Sequence, residues 1–264
     1  MPIDNENNDL FDEINYNAKR HSSTLKMLCL STMSDFLPNY PLHETLINHH
    51  ITKIHIIQQV RMIQHLYKQA CNKWSEIKNH PASGAPADLP DIYFNEAPEV
   101  CHTPDNRHFL GFYTEEMVYH MRRVLDTLVQ LTYVMATPDF VTTKILSKDS
   151  IACILKVDTP RNDFEKILLG DNIDYDSDNT NFLSCINSIF NSFKHGFYNE
   201  QTYMLFSHDA PATQTFYIKK DLNKKITFHN HNTHHIMMGF QDNFCRIIKN
   251  QKTYLEKQRT ASHL

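Results

Sequence analysis

Glycine is scarce in this chain, with 5 in 264 residues, and tryptophan occurs once. All-β architectures built on tight turns use far more glycine, so its scarcity excludes them and favours long helices joined by polar loops. There is no C-x-x-C pair. Cys29, Cys71, Cys101, Cys153, Cys185 and Cys245 are scattered, which predicts free thiols in a reducing cytoplasm rather than a disulfide framework. No apolar run reaches membrane-spanning length and the N-terminus is polar, so no membrane is expected as a partner and the compartment expected is cytoplasmic. G-x-G-x-x-G, G-x-x-x-x-G-K and G-x-S-x-G are all missing. Mainstream dehydrogenases, P-loop enzymes and α/β hydrolases are therefore disfavoured, and no cofactor is expected.

A basic coat is also missing. The formal charge is −4, from 26 basic and 30 acidic residues, so contact with nucleic acid needs a local patch. What the chain has in quantity is histidine: 17 residues whose partial protonation near pH 6.5 makes net charge pH-sensitive. With 41% hydrophobic residues the chain has enough apolar material for a core.

Periodicity predicts a mainly α fold, an elongated antiparallel helical bundle with a small β-hairpin near the C-terminus, in one domain covering 1–264. The first predicted bundle helix is 43–79, where Ile56, Val60, Ile63, Tyr67, Ala70, Trp74 and Ile77 recur at steps of four and three. A second is expected over 115–136, capped by Thr114 and facing inward through Met117, Met121, Val124, Leu125, Leu128 and Leu131. The others are 181–197, with Phe182, Ile186, Ile189, Phe190, Phe193 and Phe197 on one side, and 233–257, capped by Thr233. A loose arm is expected at about 1–22. A long loop is expected over 80–114, where Pro81, Pro86, Pro90, Pro98 and Pro104 fall. Alternation predicts the hairpin from 213–220 and 224–230 around Asp221, Leu222 and Asn223, with a further alternating stretch at 201–206.

Five constellations invite a chemical reading. On 181–197, Asn187, Asn191, Lys194, His195 and Tyr198 lie beside the aromatic side, placing an imidazole, an ammonium and two carboxamides at the margin of the core. Its bland counterpart is a solvated flank. His229 and His231 share one face of a strand, and His234 or His235 begins the next helix. These are the fallback metal candidates, but no Cys or carboxylate nearby completes a set, so the expected content is no metal and the alternative is a solvated hairpin edge. Asp174, Asp176, Asp178 and Asn179 mimic the start of a calcium loop, but the place of the bidentate Glu is taken by Cys185, which favours a solvated acidic loop. His43 and Glu44 invite comparison with a zinc-protease helix, but no second His falls at the H-E-x-x-H spacing.

Arg122, Arg123 and Asp126 form i,i+4 and i,i+3 pairs, structurally an intrahelical ion pair. From a neighbouring helix, Arg122 could instead stabilise phosphate charge.

A helix bearing Arg122, Arg123 and Asp126 followed by one bearing Asn191, Lys194 and His195 resembles the HEPN-type helical domains of prokaryotic toxin and defence systems, over roughly 115–200. The resemblance implies an α-bundle, often dimeric, whose active members cleave RNA without metal through an Arg-polar-x(3–5)-His motif. Only His195 maps onto that motif. Asn191 stands four residues before it and no Arg precedes His195 on the helix, so the resemblance allows a catalytically inactive relative. Two functions follow as expectations. One is RNA binding or metal-independent RNA cleavage in a stress or phage-defence system, with His195 as general acid/base and Asn191, Lys194 and Arg122 beside it. The other is a non-catalytic α-helical interaction or scaffold protein. Either is expected to be a homodimer.

Overall fold

The structure is a computed structural model, and it describes residues 11–14, 16, 33–40, 49–79, 106–137, 146–195, 211–217 and 226–261. The order is β1 (Phe11–Ile14), α1 (Met33–Phe36), α2 (His49–Asn79), α3 (Asn106–Ala136), a 3-10 turn (Ile151–Cys153), α4 (Asp163–Leu169), α5 (Phe182–His195), β2 (Ala212–Tyr217), β3 (Ile226–Asn232) and α6 (Thr233–Ala261). The chain is thus mainly α with a small hairpin, as its periodicity predicts. The alternating stretch at 201–206, the tip around Asp221, and Phe197 and Tyr198 lie outside the described residues.

The apolar stripes become the core. Ile56, Val60, Ile63 and Ala70 of α2, every inward residue expected on α3, Phe182, Ile186 and Ile189 of α5, and Ile236, Phe240, Phe244, Ile247 and Ile248 of α6 are all buried. α2 and α3 run antiparallel over 31 residues each. Gln59 meets His120 at one level, and Lys73 lies over the Phe109 ring at another. α5 sits against both α3 and β2, where the chemistry-bearing residues meet.

Three boundaries differ from expectation, each for a local reason. α3 begins at Asn106, eight residues before Thr114, so 106–114 is helix and not loop, and the rest of the loop predicted over 80–114 lies outside the described residues. Thr114 is buried mid-helix, and its hydroxyl donates to the Gly111 carbonyl at 2.9 Å. A threonine that satisfies its own preceding turn has the look of a cap without being one. At α6 the capping oxygen belongs to Asn232, which accepts the His234 N–H at 2.9 Å, while Thr233 turns its hydroxyl to that of Thr213 at 3.0 Å. Lastly, part of the predicted N-terminal arm is strand. Phe11–Ile14 pairs in parallel with β3, from Phe11 opposite Ile226 to Ile14 opposite His229. The hairpin therefore becomes a three-stranded sheet in the order β1-β3-β2, with β3 in the middle.

The acidic segment 158–180 holds α4 and an ordered strap. Gly170 ends α4 at φ +84°, and a Cβ there would lie 2.3 Å from the Ser177 backbone, so glycine is required. Asp178 accepts the Thr180 N–H and hydroxyl and, at 3.3 Å, the Leu183 N–H that opens α5. Arg246 of α6 donates to the carbonyls of Leu168 and Asp176. Burial draws its guanidinium down to about 10, although Asp178 and Asp176 oppose this. Asp174 and Asp176 pair with Lys257 and Lys249 at 2.9 and 2.6 Å. Asp174 and Asp176 stay exposed and Asp178 is directed at backbone, so these carboxylates face no common point, in keeping with the solvated acidic loop expected here.

Candidate functional site

Two polar junctions flank α5. The first joins α3 to α5 through Arg122, which is 6% exposed. Its Nε donates to Asp126 Oδ2 at 3.0 Å, one terminal nitrogen donates to Asn187 Oδ1, and the guanidinium carbon lies 5.5 Å from the Phe190 ring centre. Asp126 uses its other oxygen to accept the Ile151 N–H at 2.8 Å. Burial pushes the Asp126 carboxyl up from its ordinary value, while Arg122 and that N–H pull against the rise. The fork geometry of arginine suits this bridge: one face rests on an aromatic ring and two edges hold a carboxylate and a carboxamide.

Arg122 therefore reaches the polar stripe of α5 at Asn187, not at its far end. Asn191 is half-buried, and Lys194 and His195 are exposed in the last turn. His195 is eight residues past Asn187, or about 12 Å along the helix axis. Arg123 is exposed; burial chiefly lowers the neighbouring His55 and His120 imidazoles, and Arg123 adds to this, while Glu116 opposes it at His120.

The second junction joins α5 to the sheet. His229 and His231 share a strand face, as their spacing predicts, but both are buried, at 1% and 0% exposure. The expectation of a solvated edge is corrected. They form a chain: the Tyr16 backbone N–H reaches His231 Nδ1 at 2.9 Å, His231 Nε2 lies 3.1 Å from His229 Nδ1, and His229 Nε2 lies 3.2 Å from Ser188 Oγ. A backbone N–H can only donate, so His231 Nδ1 accepts and its proton sits on Nε2. That proton goes to His229 Nδ1, leaving His229 with its own proton on Nε2, donated to Ser188. One amide thus orders three groups. Burial lowers His229 to about 4, and burial plus the neighbouring His229 lowers His231 to about 3, so both are neutral near pH 7.

This polarity bears on whether Ser188 can act as a nucleophile. A nucleophilic serine needs its base to accept the hydroxyl proton, whereas His229 presents N–H to Ser188. The trio resembles a hydrolytic relay in composition and runs the other way. His234 takes no part, since its Nδ1 lies 2.8 Å from the Tyr67 hydroxyl and ties α6 to α2. Among the described residues no three His, Cys, Asp or Glu side chains converge to hold a metal ion. Sequence reasoning missed the relay because Ser188 and Tyr16 are distant in sequence from the histidines. Only the shared strand face was legible.

Comparison with known proteins finds no matching family model, no matching curated protein and no matching solved structure. Among the described residues, no helix is long and apolar enough to cross a membrane.

Proposed function

We propose that this protein is a non-catalytic α-helical interaction protein that works as a homodimer. The observation that carries this reading is the placement of Arg122. Its guanidinium is enclosed by Asp126, Asn187 and Phe190, and a buried cation committed to these partners does not serve a phosphate about 12 Å further along α5. The serine–histidine relay runs in the wrong direction for nucleophilic attack. The net charge of −4 also disfavours general association with a polyanion.

A second reading, an RNA-binding or RNA-cleaving HEPN-like bundle in a stress or phage-defence system, is favoured by the exposure of Lys194 and His195 at one helix end. Incubation with single-stranded RNA in chelator separates the two. The interaction reading expects no cleavage above buffer and no difference between wild type and His195→Ala. Cleavage by wild type that His195→Ala abolishes at unchanged melting temperature would establish the RNA reading instead.

A further inference from the structure

Tyr16 anchors the N-terminal segment against the sheet. Strand β1 lays four residues, Phe11–Ile14, in parallel along one edge of β3. Ile14 at its end is 43% exposed, whereas Tyr16 is 6% exposed. Ile14 faces His229, and two residues further on the Tyr16 N–H meets His231 Nδ1 at 2.9 Å. The Tyr16 ring packs edge to face on Phe182, the first residue of α5, at 5.6 Å. Room for it is made by Gly239 of α6, where a Cβ would lie 2.6 Å from the phenolic oxygen. A helix interior disfavours glycine, so this slot forms against the helix propensity of α6.

The occupant suits the slot except at one atom. The Tyr16 hydroxyl is buried and has no hydrogen-bond partner among the described residues. Thr180 stands close to it, but Thr180 donates its own proton to Asp178 Oδ1 at 2.7 Å. Burial raises the phenol to about 12, Thr180 opposes this, and Asp178, Cys185 and Asp242 add to the rise, so the group remains an O–H at neutral pH. A buried donor left unpaired costs free energy each time the segment docks. The ladder, the His231 acceptor and the slot thus fit an extended segment with an aromatic ring two residues past its strand, and the hydroxyl weakens this chain's own version of it. With β1 undocked, β3 presents a free edge of N–H and C=O groups ready to pair with another strand.

We propose that the β3 edge and the slot between α5 and α6 form a docking groove for an extended segment of a partner protein that carries phenylalanine where this chain places Tyr16, and that β1 and Tyr16 are its tethered, displaceable occupant. Main-chain pairing supplies affinity, while the slot selects the side chain beyond the strand. The chemistry of the partner is read from the occupant the groove already holds. The groove is a further surface of the interaction protein proposed above, and it operates whether or not two copies associate.

Fluorescence anisotropy tests this with a labelled peptide of the sequence of residues 10–16, made with Tyr, Phe or Ala at its last position, against the full chain and its Tyr16→Ala variant. The variant keeps the backbone N–H but empties the slot. The Phe peptide is expected to bind it at least tenfold more tightly than it binds wild type, where the tethered segment competes. On the variant, the Phe peptide is expected to exceed the Tyr peptide by about tenfold, and the Ala peptide to bind weakest. Equal binding of the three peptides, equal affinity for wild type and variant, or no binding to a variant whose circular dichroism melt matches wild type would overturn the proposal. Hydrogen exchange of the full-length Tyr16→Phe protein gives a second check that does not depend on the alanine variant folding. Removing the unpaired hydroxyl is expected to raise protection of the Phe11–Ile14 amides, and unchanged or lower protection would overturn the proposal as well.

Discussion

The Tyr16 backbone N–H, by donating to His231, fixes the protons of two imidazoles and orients a third group, Ser188. The pair is held neutral well below the ordinary histidine range, at about 4 for His229 and about 3 for His231. An unfolded histidine titrates near 6.5. Above that pH neither state binds a proton at these sites and their contribution to stability is complete. As pH falls through 6.5 toward 4, the unfolded chain takes up protons that the folded chain refuses. Stability then declines by up to ~1.4 kcal/mol per pH unit for each group, and the decline levels off below the folded values. Urea titrations between pH 7.5 and 4 check this: a double His229→Gln, His231→Gln variant is expected to start less stable and to lose less on acidification. Parallel slopes would contradict the assignment. Arg122 carries the other residue-scale expectation. Arg122→Ala leaves Asp126 and Asn187 without their shared donor and should lower unfolding free energy by about 2–4 kcal/mol in denaturant titrations, whereas Arg122→Lys, which keeps charge but not the fork, should lose less.

At the scale of elements, α6 meets α5 and Tyr16, just beyond β1, at one glycine. A Cβ on Gly239 would lie 2.5 Å from the Phe182 ring and 2.6 Å from the Tyr16 hydroxyl oxygen, and those two rings already pack edge to face at 5.6 Å. Gly239→Ala must therefore move a buried ring, and calorimetry is expected to show a loss of about 1–3 kcal/mol; a neutral or stabilising result would contradict this packing. The helices themselves were legible. The four-and-three spacing of Ile56, Val60 and Ile63, and of Met117, Met121 and Val124, is set by local periodicity, and burial follows from it. Strand β1 was not legible. Four residues that pair in parallel with a strand more than two hundred positions away carry no local signature, and Tyr16 reveals its role only once β3 stands beside it. The same cause explains the site. The shared face of His229 and His231 follows from strand alternation, but its burial depends on α5 covering that face. The meeting of Arg122 with Asn187 rather than with a residue nearer His195 depends on the crossing level of α3 and α5.

For the whole molecule, the self-association we propose has to rest on surface rather than on core. The four long helices satisfy their inward stripes within one chain, so a dimer must form through what remains outside, including Met62, Ile54 and Ile173. Sedimentation equilibrium of the wild-type protein over a rising micromolar series tests the central claim most directly. The weight-average mass is expected to climb from that of the 31.0 kDa chain to at least twice it. A mass that stays at one chain at every concentration would contradict it.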